Sequence, residues 1–157
     1  MTATAHTLVA GAIAAKFTDP VTAASLALLS HFIMDAVPHW DIGTSWRDRA
    51  KSTTGILAIG ETSVGILAGF LLFQHAAPVG TLALAIFFSL LPDWLETPWY
   101  IFFATPKHIQ PTQKAGFWEK LTYRIYKLEN YFHTRAEFPF GVLTQVVTVL
   151  FFLVLLG

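Results

Sequence analysis

Hydrophobic and polar positions divide the chain into five apolar segments separated by short polar breaks. The first runs from about Ala3 to Lys16 and is short and Ala-rich. "FTDP" follows, where Asp19-Pro20 reads as a turn and a helix start. The second runs from about Pro20 to Val37 and stops at Pro38, which cannot continue a helical hydrogen-bond ladder. The third, about Thr54 to Gln74, is long enough to cross a hydrocarbon layer of about 30 Å. Gly65 and Gly69 form a GxxxG pair within it, a spacing that lets helices approach closely. The fourth segment, about 78–103, contains Pro92 and Pro98, so a kink or break is expected near Leu91. The fifth covers about 138–156.

Between the fourth and fifth segments, about 114–133 changes period. Phe117, Trp118, Leu121, Ile125 and Leu128 recur at helical spacing opposite Lys120, Arg124 and Lys127. That pattern predicts an amphipathic helix lying in a membrane interface, although a basic helix that binds a partner protein would read the same way. Trp40, Trp94 and Trp99 are expected to mark the same interface.

Composition turns these segments into a class. Hydrophobic residues make up 54% of the chain and charged residues only 13%, where soluble domains carry about 25% charged residues. Mean hydropathy is +0.55. The expectation is therefore an all-α integral membrane bundle, a single domain over 1–157 with five transmembrane helices and the interfacial helix. Formal net charge is zero, which gives no bulk attraction to nucleic acid. There is no Cys, so neither disulfides nor thiolate metal sites arise. The N-terminus lacks a basic stretch and is read as a retained helix.

Orientation follows from the basic residues. With five spans, one side receives Arg47, Arg49, Lys51, Lys107, Lys114, Lys120, Arg124, Lys127 and Arg135, and the other receives only Lys16. This bias predicts a bacterial or archaeal inner-membrane protein with a cytoplasmic N-terminus. If the first two segments instead form a re-entrant hairpin, the side assignment is the same.

The ionisable groups then collect near one leaflet. His6 begins the first segment, and "SHFIMDAVPHWD" (30–41) supplies His31, Asp35, His39 and Asp41. Glu61, Asp93, Glu96, His133 and Glu137 fall near the same side, with only Asp19 and His75 opposite. His31 and Asp35 lie at i and i+4 on one helix face and can grip one ion; His133 and Glu137 repeat that spacing. An ionisable group in a bilayer is costly unless paired, so each is a functional candidate. For His31 with Asp35 a plain hydrogen-bonded pair is the alternative, and His39 and Asp41 could simply cap a loop. Asp93 follows Pro92 and can also serve a helix start. His, Asp and Glu without Cys suit zinc, with manganese or iron as options.

At this point three motifs carry a resemblance. "HTLVAG" from His6, "LLSHFIMDAVPHWD" from Leu28 and "SLLPDWLE" from Ser89 resemble the YdjM-like inner-membrane metal-dependent hydrolases. The stretch from His31 to His39 is also similar to ligand helices of zinc-dependent phospholipase C and P1 nuclease. The resemblance implies metal ligation by His6, His31, Asp35 and Asp93, with His133 in the place of a later His.

The expected function is hydrolysis of an ester or phosphoester of a lipid-like substrate at the cytoplasmic leaflet, with metal held by His6, His31, Asp35, His39, Asp93 and His133. Asp41 or Glu61 would handle the proton, and Arg47 and Arg135 would steady an anionic head group. Membrane lipids are the expected partners, and the small-residue faces permit a homodimer. The alternative is a small metal-binding or ion-permeation protein without hydrolytic activity; a third reading is a scaffold whose polar cluster only fixes helix packing. No HExxH, GxSxG or P-loop motif is present.

Overall fold

The computed structural model describes residues 1–41, 51–105 and 107–157. Among them the chain is all-helical: α1 (Ala3–Lys16), α2 (Pro20–Ala36), α3 (Lys51–Phe73), α4 (Val79–Pro98), a π-helical turn at Trp99–Phe103, α5 (Phe117–Phe132) and α6 (Phe140–Leu156). No strand forms among these residues. Two helical stretches, Lys51–Phe73 and Val79–Phe103, are long and apolar enough to cross a membrane, at about 35 Å and 37 Å. α2 and α6, with 17 residues each, are apolar but shorter.

α1 is the axis of the bundle. It packs against α2, α3, α4 and α6, and Val9, Ala10 and Ala14 are fully buried. Its Ala and Gly residues point in every direction, and a helix apolar all round belongs inside. Small side chains let four neighbours close on it at once. Only 14 residues long, it can be short because the other helices enclose it.

The GxxxG face of α3 lies on α1. A Cβ on Gly65 would stand 2.8 Å from the Thr4 backbone nitrogen, and one on Gly69 would stand 3.0 Å from the Thr7 carbonyl oxygen. Thr7 Oγ1 donates to the Gly65 carbonyl at 2.7 Å in the same crossing. These two glycines are thus occupied within the chain. Gly55 and Gly60, by contrast, have nothing within 4 Å of where a Cβ would sit.

Helix starts follow local chemistry. Asp19 accepts from the Thr22 amide at 2.8 Å and Pro20 takes the first turn of α2. Of the kink or break expected near Leu91, no break forms: α4 runs through Pro92 to Pro98. The irregularity comes later, in the π-helical turn, where the Ala104 amide reaches back to the Trp99 carbonyl at 2.8 Å. Trp99 is also not an interface marker. It is buried in an aromatic cluster with Tyr123 and Tyr126 of α5, its ring 4.8 Å from that of Tyr123. Trp94 is exposed and Trp40 half-buried.

α5 keeps its basic residues Lys120, Arg124 and Lys127 exposed. Tyr126 and Glu129 are buried, whereas Phe117 and Trp118 are each 70% exposed. An exposed aromatic edge of this kind calls for an apolar or interfacial surround.

Candidate metal centre

His6, His31 and Asp35 meet where α1 and α2 cross near the start of α1, and Asp93 joins them from α4. Two groups of three side chains each bring their ligand atoms within 4.8 Å of one another: His6, His31 and Asp93; and Asp35, His39 and His133. All six residues expected to hold metal therefore fall in one cluster. Buried His and Asp groups in this arrangement can hold a metal ion.

Asp35 lies between the groups. Its Oδ1 is 3.1 Å from His6 Nε2 and 3.9 Å from His39 Nε2, and its Oδ2 is 3.6 Å from His31 Nε2 and 3.3 Å from His133 Nδ1. Met1 nitrogen also contacts Asp35 Oδ1.

The tautomers are set by backbone carbonyls. His31 Nδ1 lies 2.7 Å from the Ser89 carbonyl oxygen, and His39 Nδ1 lies 2.8 Å from that of Val37. A carbonyl can only accept, so both Nδ1 atoms carry a proton, and in the neutral imidazole each Nε2 presents a lone pair to the cluster. Backbone anchoring of one ring nitrogen to aim the other is the usual support for a metal-binding imidazole. His31 Nε2 faces Asp35, Asp93 and Glu129 at 3.6–3.9 Å. A lone pair pointing at carboxylates is repulsive unless a proton or a cation lies between them.

His31 Nε2 and both His6 ring nitrogens are buried without a hydrogen-bond partner among the described residues. For His6 the 3.1 Å approach to Asp35 lacks hydrogen-bond alignment. Orphaned buried nitrogens of this kind need a partner, and a divalent cation suits these donors chemically.

His133 stands between two carboxylates. Its Nε2 donates to Asp41 Oδ2 at 2.7 Å while Nδ1 faces Asp35. Burial works against its charged form, but the bonds to Asp35 and Asp41 outweigh burial and hold the imidazole up at about 9. Burial also opposes the charged form of Asp41, but the hydrogen bond from His133 outweighs it and keeps that carboxyl well below the usual range. For His39 burial wins over Asp41 and lowers the imidazole.

The carriers of these groups are locked together. The Thr134 amide donates to the Asp35 carbonyl at 2.9 Å, the His39 amide to Thr134 at 3.1 Å, and the Ala136 amide to His39 at 2.8 Å. Gly141 lets α6 approach this pairing, because a Cβ there would stand 2.5 Å from the Trp40 nitrogen.

Other expected residues fall elsewhere. Both Glu61 oxygens accept backbone amides, from Ala3 at 2.8 Å and Thr4 at 2.9 Å, so this carboxylate holds the first turn of α1. That task differs from the proton handling expected of it. Arg135 is exposed at the rim of a cavity of about 450 Å³, whose walls also include Asp41, Asp93 and His133. Arg47 lies outside the described residues. Glu137 is exposed.

Glu129 was not expected. It is 8% exposed, on the inward face of α5, with Oε2 3.6 Å from His31 Nε2. Its signal in the sequence is the i, i+4 spacing from Glu129 to His133, the same as that of His31 and Asp35.

No family model matches this chain, and neither does any curated protein or solved structure.

Proposed function

We propose that the protein is a membrane-embedded, metal-dependent hydrolase of an ester or phosphoester in a membrane amphiphile, working at the cytoplasmic leaflet with zinc as the preferred ion. In this reading α1, α2 and α6 join α3 and α4 as a five-span bundle, and α5 lies in the interface on its exposed aromatic edge. The one-sided distribution of Lys and Arg supports a cytoplasmic N-terminus, and the three motifs that resemble YdjM-like proteins support the same class.

The observation that carries the proposal is the pair of imidazole–carboxylate groups converging on Asp35, open through Asp41, Asp93 and His133 to one cavity. A divalent ion bound there supplies an activated water and charge stabilisation at the scissile group. His6, His31 and Asp93 in one group, and Asp35, His39 and His133 in the other, are the residues that would hold metal. Asp41, hydrogen-bonded to His133 and lining the same cavity, is the carboxylate placed to exchange a proton with the water. Arg135 at the rim would orient an anionic substrate.

Ion permeation fits less well. Beyond His6, α1 meets its neighbours through Val9, Ala10, Ile13, Ala14, Leu82 and Ile86, an apolar plug among the described residues. A conducting path needs polar or hydrated groups through to the far face.

The deciding experiment is elemental analysis of the detergent-purified chain, followed by a hydrolysis screen on ester and phosphoester substrates. Wild type should retain metal and turn over a substrate; His31→Ala should lose turnover and part of the metal, and Asp35→Ala should lose both. Asp41→Asn should keep the metal and lose turnover. A folded wild type that retains no metal sinks the reading.

A further inference from the structure

We propose that the cavity between α3 and α4 seats an anionic single-chain amphiphile drawn from the surrounding membrane. Its charged head lies at Arg135 and Lys51, and its hydrocarbon chain leaves between the two helices. This rests on the hydrolase reading, for which it names the substrate class, but it concerns binding and is tested by binding.

The cavity, about 450 Å³, falls within the range that encloses one ligand of modest size. Its walls are divided by chemistry. Its lining joins Asp41, Asp93 and His133 of the metal centre to the apolar surface of Gly55, Ala58, Ile59 and Ile101. A ligand that satisfies both has a polar head and an apolar tail.

The head end has fixed cationic groups. Lys51 lies at the rim, where Nζ donates to the Ile101 carbonyl at 3.0 Å and so bridges the start of α3 to the π-helical turn. An ammonium has three donors, so this bond leaves capacity for an anion. Arg135 lines the same end. Lys51 and Arg135 are the side-chain cations of a lining that also carries Asp41, Glu61, Asp93 and Glu96, and they are where an anionic head would seat beside the imidazoles. Thr54, in the same wall, has a buried hydroxyl with no partner among the described residues. A head-group oxygen is the partner it lacks.

The tail end is open because α3 leans away. α3 packs along α1 through Gly65 and Gly69 and makes few contacts with α4. The first turns of α3 are built from small residues, and at Gly55 nothing lies within 4 Å of a would-be Cβ. Outside this gap Ile56, Leu67 and Phe102 are exposed apolar residues, so a chain leaving the cavity stays in apolar surroundings.

The test uses the full chain, metal-loaded, in phosphatidylcholine nanodiscs, with a long-chain alkyl phosphate carrying a diazirine on its tail. Crosslinks mapped by mass spectrometry should fall on Gly55, Ala58, Ile59 and Ile101. Ala58→Trp, at an exposed position that folding tolerates, should remove them, while crosslinks on outward Val154 stay. Gly55→Leu should do the same. Arg135→Gln should weaken capture about tenfold, the effect of one charge-assisted hydrogen bond, and leave a matching neutral alkyl alcohol unaffected. Crosslinks spread evenly over the outer faces and insensitive to Ala58→Trp would overturn the proposal.

The two readings fail separately. Cavity labelling without any turnover upholds the seat and removes the hydrolase. Turnover of a short soluble phosphoester with no cavity labelling overturns the seat alone.

Discussion

Glu129 Oε2 stands 3.6 Å from His31 Nε2, across the junction of α5 and α2. It gives the group formed by His6, His31 and Asp93 a fourth candidate ligand atom, from a helix whose other side is exposed and aromatic. Glu129→Ala should therefore lower metal affinity by about 10- to 100-fold, the usual effect of losing a supporting carboxylate. Competition with a chromophoric chelator measures it. Unchanged affinity would reduce Glu129 to a packing residue.

Asp35 belongs to both ligand groups by distance, and the others divide. His6→Ala should remove metal from one group and His39→Ala from the other, each leaving about half the wild-type content. Asp35→Asn, which keeps the shape and loses the charge, should empty both. Equal loss in all three variants would mean one ion and one site. Metal per chain by mass spectrometry distinguishes these outcomes.

How much of this was legible beforehand can be said element by element. The helices were, because apolar runs and Pro and Gly punctuation act locally: α2 was expected over 20–37 and forms over Pro20–Ala36. The imidazoles and Asp35 were legible too, because ionisable groups in apolar segments are conspicuous. The structural task of Glu61 was hidden, since nothing in "ILAIGETSVGIL" shows that the amides of Ala3 and Thr4 will lie above it. Trp99 was misplaced for a related reason. Aromatic residues suit interfaces and cores equally, and only the docking of α5 decides between them. Glu129 was hidden among the charges of an amphipathic helix, where acids usually face water.

Glu61 gives a test of its assigned task. If it holds the first turn of α1, Glu61→Ala should cost about 1 kcal/mol, as loss of a helix cap does, and lower the midpoint by about 2 to 4 °C in a chain of this size. Turnover per bound metal should stay at the wild-type level. A collapse of turnover with unchanged melting would return Glu61 to the chemistry.

The glycines of α3 make a matched pair. Gly65→Ala places a methyl group 2.8 Å from the Thr4 backbone nitrogen and should destabilise by about 1 to 3 kcal/mol. Gly60→Ala meets nothing within 4 Å and should be neutral or gain up to about 1 kcal/mol from helix propensity. Thermal unfolding in one detergent compares them. Equal effects would mean that α1 does not rest on this face.

The enclosed position of α1 has a consequence for how the protein comes into being. The groups around Asp35 are drawn from α1, α2, α4, α5 and the connections near them, from His6 to His133. A chain emerging from a ribosome holds the first of these long before the last, and a lone histidine on a bare Ala-rich helix has little grip on an ion. Chelation is then a late event, open only to a chain whose five contributors have already assembled. Captured metal would act as a certificate of completed biogenesis, and immature chains would leave the cell's metal supply untouched.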